Sequence, residues 1–321
     1  MKKNKLPVTT LNLGKISSDE TVPSFIGTYG GALSEPEVQA YVDHADFLLL
    51  LGVKLTDSAT GAFSHDFPEE KVIALNTDSV RIFGEPSSSP HHFEPLLNAL
   101  EELDLVPFTG PYPAKKPVQP FTPDETLLTQ TRFWEAMASF FMKGDTILAE
   151  QGTAFFGAAS LPLQASSSFI GQPLWGSIGY TFPAALGSQI ANPSGRHILF
   201  IGDGSLQLTI QELGLAFRER IKPIIFVINN DGYTVERKIH GAEQAYNDIP
   251  MWRYSELPQA FGGSEDLVVS HRVKTETELD VVLKQINADN TRLHWVEVIM
   301  PKMDAPEYLQ KLGTLFAKQN S

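Results

Sequence analysis

His197-Ile-Leu-Phe-Ile-Gly-Asp-Gly-Ser205, followed by Ile224-Ile-Phe-Val-Ile-Asn-Asn230, alternates apolar runs with polar turns in an order that points to one architecture. His197 to Ile201 reads as a buried strand. Leu206 to Arg220 places Leu206, Ile210, Leu213 and Phe217 at helical spacing. Ile224 to Ile228 is a second apolar run and ends at the Asn pair. Strand, helix and strand in this order predict parallel neighbours joined by a right-handed crossover. Asp203 and Asn230 then emerge at the carboxyl ends of two strands of one sheet, where open α/β sheets bind ligands. A carboxylate and an amide oxygen are hard ligands suited to Mg²⁺ or Ca²⁺. Gly204 and Ser205 open the helix, whose amides and dipole favour a phosphate. The two turns together imply a site for a metal-bridged diphosphate. A Gly-Asp-Gly turn alone is common, and Gln207 stands where a dinucleotide fingerprint has its third glycine. The Asn pair, which follows Gly204 after 24 intervening residues, is what separates this turn from a chance one.

Composition narrows the function classes. A length of 321 residues suits about two domains. Apolar content of 42% with 20% charged residues provides material for a large core. The formal charge of −13 argues against nucleic acid or an anionic membrane surface as partner. The chain has no cysteine, which removes disulfides and thiolate catalysis. Met1-Lys-Lys-Asn-Lys5 is basic, but Leu6 to Thr10 is too short and polar for a signal-peptide core. No stretch approaches the length of a membrane span, so a cytoplasmic protein is expected.

The pattern along the chain is α/β throughout. Leu6 to Leu13, Phe47 to Val53 and Val72 to Asn76 read as strands, with a helix over Pro36 to His44 capped by Ser34. Residues 1–107 thus form a small parallel unit. Residues 108–125 form a linker, because Phe108 to Pro123 holds five prolines and no periodic pattern. Residues 126–321 form a second unit, closing on a helix over Pro306 to Lys318 with Leu309, Leu312 and Phe316 on one face.

Three runs carry a resemblance. They are Asn229-Asn-Asp-Gly-Tyr-Thr-Val-Glu-Arg-Lys-Ile-His-Gly241, Glu150-Gln-Gly-Thr-Ala-Phe-Phe156 and Gly171-Gln-Pro-Leu-Trp-Gly-Ser-Ile-Gly179. With Gly202-Asp-Gly204 they resemble the thiamine diphosphate-dependent 2-oxoacid decarboxylases, particularly the bacterial branched-chain 2-oxoacid and indolepyruvate/phenylpyruvate enzymes. The resemblance implies two three-layer parallel-sheet domains, a partial central Rossmann-like domain and the diphosphate-binding domain. Members of the family have a further pyrimidine-binding domain ahead of these, which has no counterpart in these 321 residues. They are homo-oligomers in which the cofactor lies between that domain and the diphosphate-binding domain of another subunit.

By the same resemblance, Asp203, Asn230 and the carbonyl of Gly232 bind Mg²⁺, while Gly204 and Ser205 hold the diphosphate. Gly176 accepts from the cofactor's 4'-amino group through its carbonyl, and Ile178 is the apolar wedge that bends the cofactor. From the residues alone, core packing is the better reading of Ile178. Glu236 matches the catalytic glutamate. The carbon that loses carbon dioxide must then be protonated, and a carboxyl in an apolar pocket is suited to that. The competing reading is a solvated charge beside Arg237 and Lys238. Gln151, Phe155, Phe156, Val235, Ile239, Leu312 and Phe316 match substrate-pocket positions, with plain core as an equal alternative. Valine at 235 favours larger 2-oxoacids over pyruvate. His91-His92 does not match the family's working His pair and reads as surface.

Two classes of function follow. One is a 2-oxoacid decarboxylase whose pyrimidine-binding domain comes from another chain, so that the chain alone is inactive. The other is a non-catalytic cofactor-binding remnant or one half of a split enzyme. A carboligase such as an acetolactate synthase fits less well with the Thr234-Val-Glu236 context.

Overall fold

The structure, a computed structural model, describes residues 4–87 and 92–319. The chain divides into two compact units, Met1–Lys116 and Pro117–Ser321.

The first unit contains β1 (Val8–Thr10), β2 (Phe25–Thr28), α1 (Pro36–Asp43), β3 (Leu48–Leu51), β4 (Val72–Leu75), β5 (Val80–Ile82), β6 (Glu85–Pro86) and α2 (Phe93–Glu102). β1 pairs with β2 and β3 with β4, both in parallel. The expected parallel unit is extended by an antiparallel hairpin, β4-β5-β6, that periodicity did not disclose. Phe83 and Gly84 form its two-residue turn, with φ of +53° and +85°. Phenylalanine at a left-handed position masks the usual Asn-Gly signature of such a turn. Ser34 does not cap α1 as expected; its Oγ accepts from the Gly30 amide at 2.8 Å. Leu6 to Leu13 yields only a three-residue strand, because a 3-10 turn begins at Asn12. Residues beyond α2 run without regular structure, tied to this unit by Phe108 N to Asn4 O and by Tyr112 Oη to Lys5 O. His91 lies outside the described residues, and His92 is exposed.

The second unit contains α3 (Gln130–Phe140), β7 (Thr146–Ala149), α4 (Thr153–Ala159), β8 (Ser168–Ile170), α5 (Thr181–Ala191), β9 (His197–Gly202), α6 (Asp203–Leu206), α7 (Leu213–Arg218), β10 (Ile224–Asn229), α8 (Thr234–Ile239), α9 (Leu257–Ala260), β11 (Val268–Val273), α10 (Glu276–Ala288), β12 (Leu293–Ile299) and α11 (Glu307–Gln319). Its sheet is six-stranded and wholly parallel, in the order β8-β7-β9-β10-β12-β11. Strands buried on both faces read as continuous apolar runs, as β9 and β10 do. Alternate residues then serve opposite layers. Phe200 and Phe226 stack at 5.2 Å and meet Phe133 of α3 edge-on. Leu199, Ile201, Ile225 and Val227 instead join Phe182 and Leu186 of α5 and Trp295 in a second cluster.

The chain passes from β7 outward to β8 and then returns across β7 to β9 on its other side, so the direction of winding reverses there. The crevice at this switch lies at the strands' carboxyl ends. The helix expected over Leu206 to Arg220 is a correction: it breaks into α6, a 3-10 turn at Ile210–Glu212, and α7. Side chains at the break are drawn into tertiary bonds. Gln207 Nε2 donates to Tyr254 Oη at 2.8 Å, and Thr209 Oγ1 donates to the Gly179 carbonyl at 3.0 Å. The apolar positions Leu206, Ile210, Leu213 and Phe217 are nonetheless all buried.

Candidate active site

Asp203 sits at the start of α6 and is 1% exposed. Its Oδ1 accepts from the Gly204 amide at 2.8 Å and its Oδ2 from the Gly232 amide at 2.9 Å. The Gly204 N–H is therefore engaged by the neighbouring carboxylate. Burial pushes the Asp203 carboxyl up to about 6, against the pull of these amides. Among the described residues no cationic side chain pairs with it. Asn230, also buried, donates from Nδ2 towards Thr153 Oγ1 of α4 at 3.5 Å. Asp231 and Gly232 follow with φ of +60° and +105°. A Cβ at Gly232 would stand 2.2 Å from the Asn247 carbonyl, and one at Gly204 2.5 Å from the Tyr233 ring. Both glycines are required by close approach.

The turn carrying Asn230 and Gly232 is fixed by residues that motif reading passed over. Arg237 of α8 is buried, and its Nη2 donates to the carbonyls of Asp231 and Asn247, each at 3.0 Å, and to Asp248 Oδ1 at 2.6 Å. Asn229 donates from Nδ2 to the buried Glu297 at 2.8 Å. Their signal was weak: Arg237 reads as a surface charge, and Glu297 hides in an apolar strand.

On the neighbouring side of the crevice, Gly176 (φ +62°) lies beside Gln151, and Ile178 is half-buried. Gln151 Oε1 is buried with no hydrogen-bond partner among the described residues. The preceding Glu150 is fully buried and accepts four hydrogen bonds, from the Gln151 amide, the Gly179 amide and both the amide and Oγ1 of Thr181. Burial raises its pKa, and the four donors oppose that. A carboxylate closing the apolar run Ile147-Leu148-Ala149 was the available signal.

The pocket residues divide. Phe155, Phe156 and Leu312 are buried: Phe155 meets Phe169 edge-on, and Phe156 stacks on Tyr308 of α11. Gln151, Val235, Ile239 and Phe316 are half-buried. α11 packs on α8 and α4, so Phe316 and Val235 belong to adjoining helices. The Glu236 side chain, in the first turn of α8, is 38% exposed and lies 3.6 Å from His240. The expected apolar enclosure is not formed by the described residues. Ser205 is buried in α6.

The donor set fits a hard cation bearing phosphate oxygens. It consists of a buried, uncompensated carboxylate, an amide side chain and a turn carbonyl grouped at two strand ends. Residues 151–298 match the C-terminal TPP binding domain of thiamine pyrophosphate enzymes, and residues 1–89 match their central domain. The chain belongs to the thiamine pyrophosphate enzymes through these two domains. Its relatives include the alpha-keto-acid decarboxylase of Mycolicibacterium paratuberculosis, 41% identical over 310 residues, which are 96% of this chain and 55% of that protein. Those of Mycobacterium tuberculosis and Mycobacterium leprae are 40% and 39% identical, over 98% and 96% of this chain and 56% and 54% of theirs. The chain thus spans about half the length of the curated relatives it matches.

Proposed function

We propose that the carboxyl end of the six-stranded sheet binds thiamine diphosphate through Mg²⁺, as part of an enzyme that decarboxylates 2-oxoacids to aldehydes. The observation that carries this reading is Asp203, a buried carboxylate with no cationic partner among the described residues, facing the Asn230–Gly232 turn. Asp203, Asn230 and the Gly232 carbonyl would hold the metal; Gly204 and Ser205 would border the diphosphate. The Gly176 carbonyl and Ile178 would orient the aminopyrimidine half. When bound, thiamine diphosphate supplies the nucleophilic carbon that adds to a 2-oxoacid and stores the electron pair released with carbon dioxide. Glu236 would hold the proton that replaces the departing carboxylate. Valine at 235 leaves room for branched or aromatic side chains, so the substrate class extends beyond pyruvate. No helix among the described residues is long and apolar enough to cross a membrane.

A pyrimidine-binding domain from another chain would complete the site in an oligomer. The second reading, a non-catalytic cofactor-binding remnant, draws on the exposure of Glu236 and of Trp175, which is 81% exposed in the Gly176 loop. Calorimetry tests the shared part of both readings. Thiamine diphosphate should bind with Mg²⁺ and lose its affinity in EDTA; equal affinity without metal removes the site. Turnover on addition of a relative's pyrimidine-binding domain separates the enzyme from the remnant.

A further inference from the structure

We propose that Glu150 is a positioning residue, whose carboxylate holds the Gly176–Gly179 segment in the form that presents the Gly176 carbonyl and Ile178 to the cofactor. The inference rests on the reading of this crevice as a thiamine diphosphate site. Glu150 follows β7 at its carboxyl end and is fully buried. A buried carboxylate is costly unless paired or fully hydrogen-bonded. Glu150 has no cationic partner among the described residues, and its partners are instead backbone and hydroxyl donors. Oε1 accepts from the adjacent Gln151 amide at 2.9 Å. Oε2 accepts from the Gly179 amide at 3.0 Å, the Thr181 amide at 3.1 Å and Thr181 Oγ1 at 2.9 Å. Three bonds therefore converge on one oxygen from a segment about thirty residues away in sequence.

That segment needs an external anchor. Gly176 and Gly179 both take positive φ, +62° and +85°, and no strand runs through it. Its local bonds are those of a turn, Trp175 N to Gln172 Oε1 and Gln172 Nε2 to Ser177 Oγ. Gly179 is gripped at both ends of its peptide: Glu150 takes the N–H, and Thr209 Oγ1, from the break after α6, donates to the carbonyl. The grip acts on the pyrimidine half of the site alone. Among the described residues, Asp203, Asn230 and Gly232 make no hydrogen bond to this segment.

The separation supplies the test. In the full chain, Glu150→Gln should speed amide exchange at Gly179 and Thr181 about tenfold or more while β9 and β10 keep their protection, since bonds to charged acceptors are the stronger ones. Thiamine diphosphate with Mg²⁺ should bind about tenfold more weakly to the variant. Inorganic pyrophosphate with Mg²⁺, which uses only the metal half, should bind unchanged. Glu150→Asp, keeping the charge, should recover part of the loss. If Glu150→Gln fails to fold, Thr181→Val removes one of the three donors at Oε2, and the same contrast between the two ligands is expected at a smaller, several-fold size. Equal losses for both ligands, or exchange at Gly179 and Thr181 that matches wild type, would overturn the proposal. A wild-type chain that binds neither ligand overturns the cofactor reading beneath it, which separates that failure from this one.

Discussion

Asp203 is buried away from water and from cations, and that places its carboxyl near the boundary between acid and base forms at about pH 6. Its folded pKa lies above the unfolded value, so without metal the ionised form works against folding. This group therefore adds stability as pH falls through about 6, with the gain complete near the unfolded carboxylate value. Metal binding reverses the sign, because a ligand must be deprotonated. Mg²⁺-dependent affinity for thiamine diphosphate should hold from pH 8 to 7 and fall as pH drops through about 6, which titration calorimetry at several pH values can follow. A flat profile would show that Asp203 does not hold the cation. Glu236 is the other residue whose role can be isolated. Its side chain is 38% exposed, so Glu236→Gln should leave denaturant stability within about 0.5 kcal/mol. In an assembled enzyme the same change should lower turnover by roughly 10²- to 10⁴-fold, the usual contribution of a general acid. Near-normal turnover would take Glu236 out of the mechanism.

Among the elements, α8 and α11 decide whether the pocket side chains meet at all. Gly313 of α11 closely approaches α8: a Cβ there would stand 2.5 Å from the Lys238 carbonyl, a backbone atom that cannot swing aside. In an open helix Gly→Ala would stabilise by roughly 0.5–1 kcal/mol. Here Gly313→Ala should destabilise, by about 1–3 kcal/mol for forced overpacking, as read by urea unfolding. A more stable variant would mean that the helices do not abut. The broken helix after β9 makes a related point. Its apolar spacing was legible and its buried face is as expected, but the interruption at Gln207–Thr209 came from bonds to Tyr254 and Gly179. Periodicity reports which side is buried, and says nothing of side chains that leave the helix to bind elsewhere.

For the molecule as a whole, the exposed apolar side chains near the sheet's carboxyl end carry a consequence. Trp175, Leu174, Tyr180, Leu208 and Met251 are all exposed, a composition suited to a protein partner. Purified alone with saturating thiamine diphosphate and Mg²⁺, the chain should not turn over 4-methyl-2-oxopentanoate in a coupled aldehyde assay. A rate of even a few per second would mean that its active site is complete. The parallel sheet and the emergence of Asp203 and Asn230 at the carboxyl ends of two of its strands followed from sequence alone, because doubly buried strands are continuous apolar runs and their carboxyl ends are where polar turns must emerge. The hairpin at Phe83-Gly84, the helix break and the anchoring by Glu150, Arg237 and Glu297 did not. Those depend on which donors and acceptors distant segments bring together on burial, and a buried carboxylate or guanidinium has no periodicity by which to be found.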